Sequence, residues 1–436
     1  MQSPSAVALD QPRPSQALKA RDYKTLALSA LGGTLEFYDF VIFVFFTAVL
    51  GDLFFPPGIP GWLRQLQTFA IFAAGYLIRP LGGLVLAHFG DILGRKKMFV
   101  LSVMLMSIPT MAVGLLPTYA ELGVAAPILL LLMRLLQGAA IGGEVPGAWV
   151  FVAEHVSRGR TGLACGTLTG GLTAGILLGS LVATAINAHF TPADVRDFGW
   201  RIPFLIGGVF GLVSVYLRRW LEETPVFDEI KRNKQLAKEM PVKTVLRQYR
   251  AQVAVSMLLT SLLAGAIIVI VLMMPILMQK SFHVDATTAL VGSSIATFCL
   301  TLACAVAGML ADRFGQRRVL QVGCVLLAMT FYAFYRGISD PNASTTSWLT
   351  LYAITGTALG VIGVVPSAMV GVFPPEIRFT GISFSYNLAY AIFGGLTPIV
   401  ISLWMAVDIM APLYFLVAVC LVGAVTAAFL NRLSRP

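Results

Sequence analysis

Apolar residues in this chain come in long runs separated by short polar turns, and each run is about long enough to cross a hydrocarbon core of roughly 30 Å. The runs fall near 26–50, 66–89, 98–117, 125–151, 163–188, 200–220, 251–278, 288–311, 319–337, 347–371, 380–404 and 409–431. They predict an all-α polytopic membrane protein with twelve transmembrane helices. Six lie on each side of a polar stretch. The expected organisation is a disordered tail at 1–20, a six-helix bundle at 21–220, a cytoplasmic linker at 221–250 and a second six-helix bundle at 251–436.

The polar turns carry a repeat. Asp91-Ile92-Leu93-Gly94-Arg95-Lys96-Lys97 closes one apolar helix and opens the next, and Asp312-Arg313-Phe314-Gly315-Gln316-Arg317-Arg318 does the same about half the chain later. Duplicated halves are a common way to build a transporter.

The cations are distributed unevenly. With the N-terminus inside, cytoplasmic segments hold 24 of the Lys and Arg residues and external segments hold 5, while Arg79 and Arg134 lie within helices. That asymmetry places both termini in the cytoplasm, the cytoplasmic membrane of a bacterium being the expected location. It also accounts for the net charge of +10. The basic residues occupy short loops at helix ends and form no continuous face, which argues against nucleic-acid binding.

Hydrophobic residues make up 57% of 436 and charged residues 12%, against roughly 25% charged in a soluble domain. The five cysteines all fall in apolar helices without ligand spacing, so neither a disulfide framework nor a metal site is expected. His88, His155, His189 and His283 are scattered near helix ends, and no nucleophile has a neighbouring base. No enzymatic activity and no cofactor are expected. Residues 1 to 20 lack the apolar core of a signal peptide, and the charges between Leu221 and Arg250 suit an amphipathic helix on the cytoplasmic surface.

Charges that remain inside helices are costly, about 2.5 to 3.5 kcal/mol for Asp or Arg at a helix centre on insertion scales, so they face a cavity or a partner. Five qualify: Glu36, Asp39, Arg79, Arg134 and Glu144. Glu36 and Asp39 are three apart and share a face of the first helix. They and Glu144 are the candidates for proton coupling, the alternative for the first two being a permanent ion pair with Arg79 or Arg134. Arg79 lies near mid-membrane, where its planar fork suits a carboxylate. Arg134 and Glu144 are ten residues apart and do not share a face.

The same helix carries Gly138, Gly142, Gly143 and Gly147 in small-xxx-small spacing, with Pro146 positioned to kink it. The second half has almost no intramembrane charge. Its candidate substrate contacts are Tyr386, Asn387 and Tyr390, with hydrogen bonding between helices as the alternative for Asn387 and Tyr390.

At the doubled loop the chain resembles the major facilitator superfamily. Within it, Glu36-Phe37-Tyr38-Asp39-Phe40, Arg79-Pro80-Leu81-Gly82-Gly83, Arg134-Leu135-Leu136-Gln137-Gly138, Leu221-Glu222-Glu223-Thr224-Pro225 and Gly394-Gly395-Leu396-Thr397-Pro398 resemble the metabolite:proton symporter family. The resemblance implies two six-helix bundles, alternating access, and proton-driven uptake of carboxylates such as citrate and 2-oxoglutarate, or of proline and betaine. It implies Asp39 and Arg79 at the proton and substrate site, Arg134 beside it, and a gate in the loops at Asp91, Gly94, Arg95, Asp312, Gly315 and Arg317. Ile92 and Gln316 depart from the family pattern, each standing where Arg is usual.

The expected function is symport of protons with a small organic anion, a di- or tricarboxylate, because two mid-membrane arginines call for an anionic partner. Two alternatives stand beside it: a proton symporter of a zwitterionic osmolyte, and a non-transporting membrane sensor on the same fold. The chain stops at Pro436 without the long charged tail of osmosensing relatives, which is expected to disfavour an osmosensor. The remaining expected partner is membrane lipid, with the chain acting as a monomer.

Overall fold

The computed structural model describes residues 20–93, 95–156, 158–218, 241–374 and 377–433. They are helical throughout, with no strand among them. Ten helices are long and apolar enough to cross a membrane. One bent pair, Pro192–Gly199 with Arg201–Tyr216, makes an eleventh, and the shorter apolar helix Leu101–Leu115 stands where the remaining one of the predicted twelve was expected.

In chain order these are α1 (Leu26–Phe45), α2 (Gly61–Leu86), α3 (Arg95–Leu115), α4 (Ala125–His155), α5 (Thr161–His189) and α6 (Arg201–Arg218). The second set is α7 (Arg250–Ser281), α8 (Ala286–Phe314), α9 (Gln316–Ser339), α10 (Thr345–Val372), α11 (Arg378–Met405) and α12 (Ala411–Leu433). Many large apolar side chains stand exposed, among them Ile108 on α3, Leu212 on α6, Met329 on α9 and Leu421 on α12. Lipid contact is the environment such a surface fits.

Several helices are interrupted, and each break has a local cause. The first apolar run was expected to continue to residue 50, but α1 ends at Phe45 and a separate helix runs Thr47–Phe54. Thr47 turns its hydroxyl back to the Val44 carbonyl at 2.5 Å, a side-chain competitor for the helical backbone. In α7 a π turn over Ile267–Met273 precedes Pro275, which has no N–H to offer the Val271 carbonyl. Ser293 of α8 donates to that carbonyl at 3.4 Å, and Tyr352 of α10 donates to Ile270 at 2.5 Å. Neighbouring helices thus satisfy the groups that the break exposes.

The tail at 1–19 and the linker section 219–240 lie outside the described residues. Of the linker, Pro241–Gln248 forms a short helix with Val245 buried.

Two seams join the helices before the linker to those after it. In one, α5 lies along α8, the most extensive helix contact in the molecule. In the other, α11 lies against α2 and α4. The candidate site sits at this second seam.

Candidate functional site

All five intramembrane charges are buried. Arg79 and Arg134 are 0% exposed, Asp39 1%, Glu144 3% and Glu36 5%.

Arg79 emerges where α2 is interrupted. Ile78 forms a turn and Pro80 supplies no N–H, so the helix restarts at Arg79. The guanidinium carbon lies 4.6 Å from the centre of the Tyr390 ring, 5.2 Å from Tyr386, 5.3 Å from Tyr76 and 5.9 Å from Phe40. Tyr76 and Tyr390 are stacked across the seam, 5.7 Å apart and 11° from parallel. Tyr386 packs 4.6 Å from Tyr390 and meets Trp149 edge-on at 5.0 Å. A cation–π contact is worth about 2 kcal/mol or more when desolvated.

The Tyr386 hydroxyl interacts with the guanidinium, but Nε and Nη2 have no hydrogen-bond partner. These two nitrogens form one edge of the guanidinium, a two-donor fork matching both oxygens of a carboxylate. The ion pairs among the described residues lie elsewhere.

Arg134 sits one layer deeper. Its guanidinium carbon is 4.5 Å from the rings of both Phe40 and Phe43 and 5.6 Å from Phe72. Nη1 donates to the Phe40 carbonyl at 3.1 Å and to Gln137 Oε1 at 2.8 Å, and Gln137 passes a bond of 2.7 Å to Thr110 on α3. Phe40 is therefore shared by the two arginines.

Asp39 pairs with neither arginine. Both carboxyl oxygens lack a hydrogen-bond partner. The carboxyl is turned to α6, where a Cβ on Gly207 would stand 2.6 Å from Oδ1, and to Ser107 of α3. The permanent ion pair weighed from the sequence is not formed. One residue along a helix is a turn of about 100°, so Phe40 holds the side facing the arginines and Asp39 faces into the bundle. Glu36 is on the same side, as its spacing predicts, and accepts from the Ser214 hydroxyl of α6 at 3.2 Å. Glu144 follows Gln137 by seven residues and so shares its face to within about 20°.

Asn387 and Tyr390 divide their tasks. Tyr390 covers Arg79, whereas Asn387 Nδ2 crosses to α4 and donates to the Gly142 carbonyl at 2.5 Å and to Ser383 at 2.9 Å. Gly142 is four residues before Pro146, whose missing N–H leaves that carbonyl free within its own helix. The proline read from sequence as a kink thus supplies an acceptor to the opposite half of the chain.

At the expected gate, Asp312 of α8 accepts from the backbone N–H groups of Gly162 and Leu163 at 2.7 and 2.8 Å, capping the start of α5. Gly315 turns the chain into α9 at φ +88°, a conformation that favours glycine. Gln316 bonds to Ser367 of α10 at 3.3 Å, and Arg317 and Arg318 line a cavity beside Asp312. Of the first copy, Gly94 lies outside the described residues, and Asp91 and Arg95 are described as backbone only, within helices Arg79–Leu93 and Arg95–Leu115.

Sequence reasoning missed the ring box and several inter-helix links. Arg378 of α11 pairs with Glu154 of α4 at 3.4 Å. At the opposite face Lys280 bonds to Gln65, and Asp52 holds Arg64 at 2.9 Å and Arg196 at 3.1 Å. Tyr76 had a signal: it precedes Arg79 by three residues and so shares its helix face. The cross-seam pairings have no such local mark.

Comparison with known proteins bears on this geometry. A family model for the Major Facilitator Superfamily matches residues 29–305. A putative proline/betaine transporter of Staphylococcus aureus (strain COL) is 32% identical over 417 residues, covering 94% of this chain and 88% of that protein. The proline/betaine transporter of Escherichia coli (strain K12) is 31% identical over 421 residues, covering 94% and 83%. A solved structure of the proton:xylose symporter XylE bound to 6-bromo-6-deoxy-D-glucose shares the fold, with a TM-score of 0.77 at 15% identity over 95% of this chain and 96% of the other. These relatives are named for proline and betaine, the alternative solutes, and not for the di- or tricarboxylates expected first.

Proposed function

The chain belongs to the Major Facilitator Superfamily, and on that premise we propose that it takes up a small zwitterion together with protons across the bacterial inner membrane. The zwitterion carries a carboxylate and a substituted ammonium, as proline and betaine do. The observation that carries this reading is Arg79: a fully buried guanidinium with an open two-donor edge, set among four aromatic faces. The edge suits a carboxylate and the rings suit a cation. A tricarboxylate would bring three negative charges to that one edge, and the rings offer them nothing.

The energetics favour the same choice. An anion entering against an inside-negative potential needs about 2.3 kcal/mol per charge per 100 mV, whereas a zwitterion needs none. Protons then serve to concentrate the solute. Asp39 is the carrier in this reading, a buried carboxyl without a hydrogen-bond partner beside the glycine surface of α6. Glu36 and Glu144 are the further candidates. Arg134 holds Phe40 in place behind Arg79.

The test is uptake into proteoliposomes driven by a pH gradient, with radiolabelled proline, glycine betaine, citrate and succinate. Accumulation of proline or betaine that collapses with a protonophore supports the proposal; accumulation of citrate or succinate alone returns the reading to an organic-anion symporter. Asp39→Asn is expected to abolish proton-driven accumulation while leaving solute exchange, and an accumulating Asp39→Asn carrier would remove Asp39 from the proton role.

A further inference from the structure

Arg79 does more than offer a fork. The ring box is already filled by a cation, and that cation belongs to the protein. Tyr76 and Tyr390 are near-parallel with centres 5.7 Å apart, so each covers a face of the other and no second group fits between them. Tyr386 is closed on its flanks by Tyr390 and by Trp149. The position from which a cation reaches Tyr390, Tyr386, Tyr76 and Phe40 together is the one the guanidinium occupies.

We propose that this ring box is the seat of the substrate's ammonium group, kept filled in the empty carrier by Arg79's own guanidinium and vacated when a substrate carboxylate draws that guanidinium aside. The inference rests on the zwitterion reading above and assigns where the positive end goes. Arg79 leads α2 out of its break, while two of the four rings stand on α11 across the seam. The exchange therefore replaces a contact within the protein by one through the substrate.

Two selectivities follow from the chemistry. First, both charges must be on one molecule. A bare cation meets the buried guanidinium as a like charge and has nothing with which to move it, and a bare carboxylate leaves the rings uncovered. Second, the ammonium should carry methyl or methylene groups in place of N–H. Aromatic faces attract a cation without supplying strong acceptors, so a primary ammonium loses hydrogen bonds on entry that a quaternary one never had.

The experiment uses the full chain in proteoliposomes and measures binding by competition with radiolabelled glycine betaine, then directly with each ligand. The probes are glycine, N-methylglycine, N,N-dimethylglycine, glycine betaine, choline, acetate and succinate. Affinity is expected to rise with each methyl group, betaine exceeding glycine by about tenfold or more, with choline and acetate weaker than betaine by about a hundredfold. Tyr390→Leu is expected to remove the methyl trend, while Tyr390→Phe, which keeps the ring, preserves it.

Betaine and glycine binding alike to the unaltered protein would overturn the ring seat and leave the zwitterion reading standing. Choline binding as tightly as betaine would overturn the exchange with Arg79. Failure of all four amino acids while succinate binds would overturn both. The methyl series on the unaltered protein decides the matter even where Tyr390→Leu does not fold.

Discussion

The two seams between the halves of this carrier are built from opposite materials. Along α5 and α8 the backbones touch. Gly162 and Gly308 leave no room for a Cβ on either, and one added at Gly166 or Gly170 would stand 2.5 Å from the Cys304 carbonyl or 2.7 Å from that of Thr301. Neutral hydroxyl pairs continue the contact, Thr173 with Thr301 at 3.1 Å and Ser180 with Ser294 at 2.8 Å. Where α2 and α4 meet α11, the contact is made instead by an arginine, three tyrosines, a tryptophan and an asparagine. One side has the close packing of small residues typical of membrane interfaces, and the other gathers a buried cation among aromatic rings. A duplicated fold need not use its duplicated seams alike.

The sharpest way to separate them is to remove the chemistry from one side. Arg79→Ala is expected to weaken substrate binding by about a hundredfold, the scale of losing two charge-assisted hydrogen bonds, read as a lost ligand-induced rise in Tm of the purified protein. An unchanged ligand shift would make the second seam structural as well. The converse is Gly308→Leu. Its side chain holds α5 off α8, so uptake should fall by about tenfold or more while binding at Arg79 changes little, since overpacking acts on the contact and not on the site. Equal loss of both would mean that the first seam also shapes the site.

A subtler probe lies at Gly142. Asn387→Ala and Pro146→Ala each remove the cross-seam bond in a different way, the second by giving the Gly142 carbonyl a partner inside α4. Each should change thermal stability by about 1 kcal/mol, with a double mutant far from additive. Simple additivity would show that the two residues act separately. The smallest effect is expected from Asp312→Ala, which removes only the cap on α5 at the end of the first seam. A loss of about 1 kcal/mol in stability is the scale for such a cap, and a change in substrate affinity would contradict the separation of gate from site.

Much of this was legible in the sequence, for reasons that mark its limits. The twelve spans could be read because the length of an apolar run is itself the signal for crossing a membrane. Arg79, Arg134, Asp39, Glu36 and Glu144 stood out because a charge inside such a run demands explanation, and all five are buried. The break at Phe46 was hidden because it falls within an unbroken apolar pattern, with only the Thr47 hydroxyl turned back on the Val44 carbonyl beside it. The direction of Asp39 was hidden too, since helical spacing groups residues on a face without saying which neighbour that face meets. The ring box draws Phe40, Tyr76, Tyr386 and Tyr390 from three helices, and Asn387 finds its acceptor 245 positions away. Such pairings belong to tertiary structure. The expectation of an anion rested on two arginines alone, and the rings around one of them, which support the zwitterion proposed above, come from separate helices and carry no local mark.

Arg79 and Arg134, both buried against Phe40 without an ion-pair partner among the described residues, have an electrical consequence. A bacterial membrane held negative inside drives potassium and sodium inward through any wetted opening. Two buried positive charges beside the proposed solute site would raise a barrier against those ions, as a single arginine does in some water-selective pores. Arg79, proposed to receive the solute's carboxylate, would with Arg134 also keep the carrier from short-circuiting the membrane that energises it.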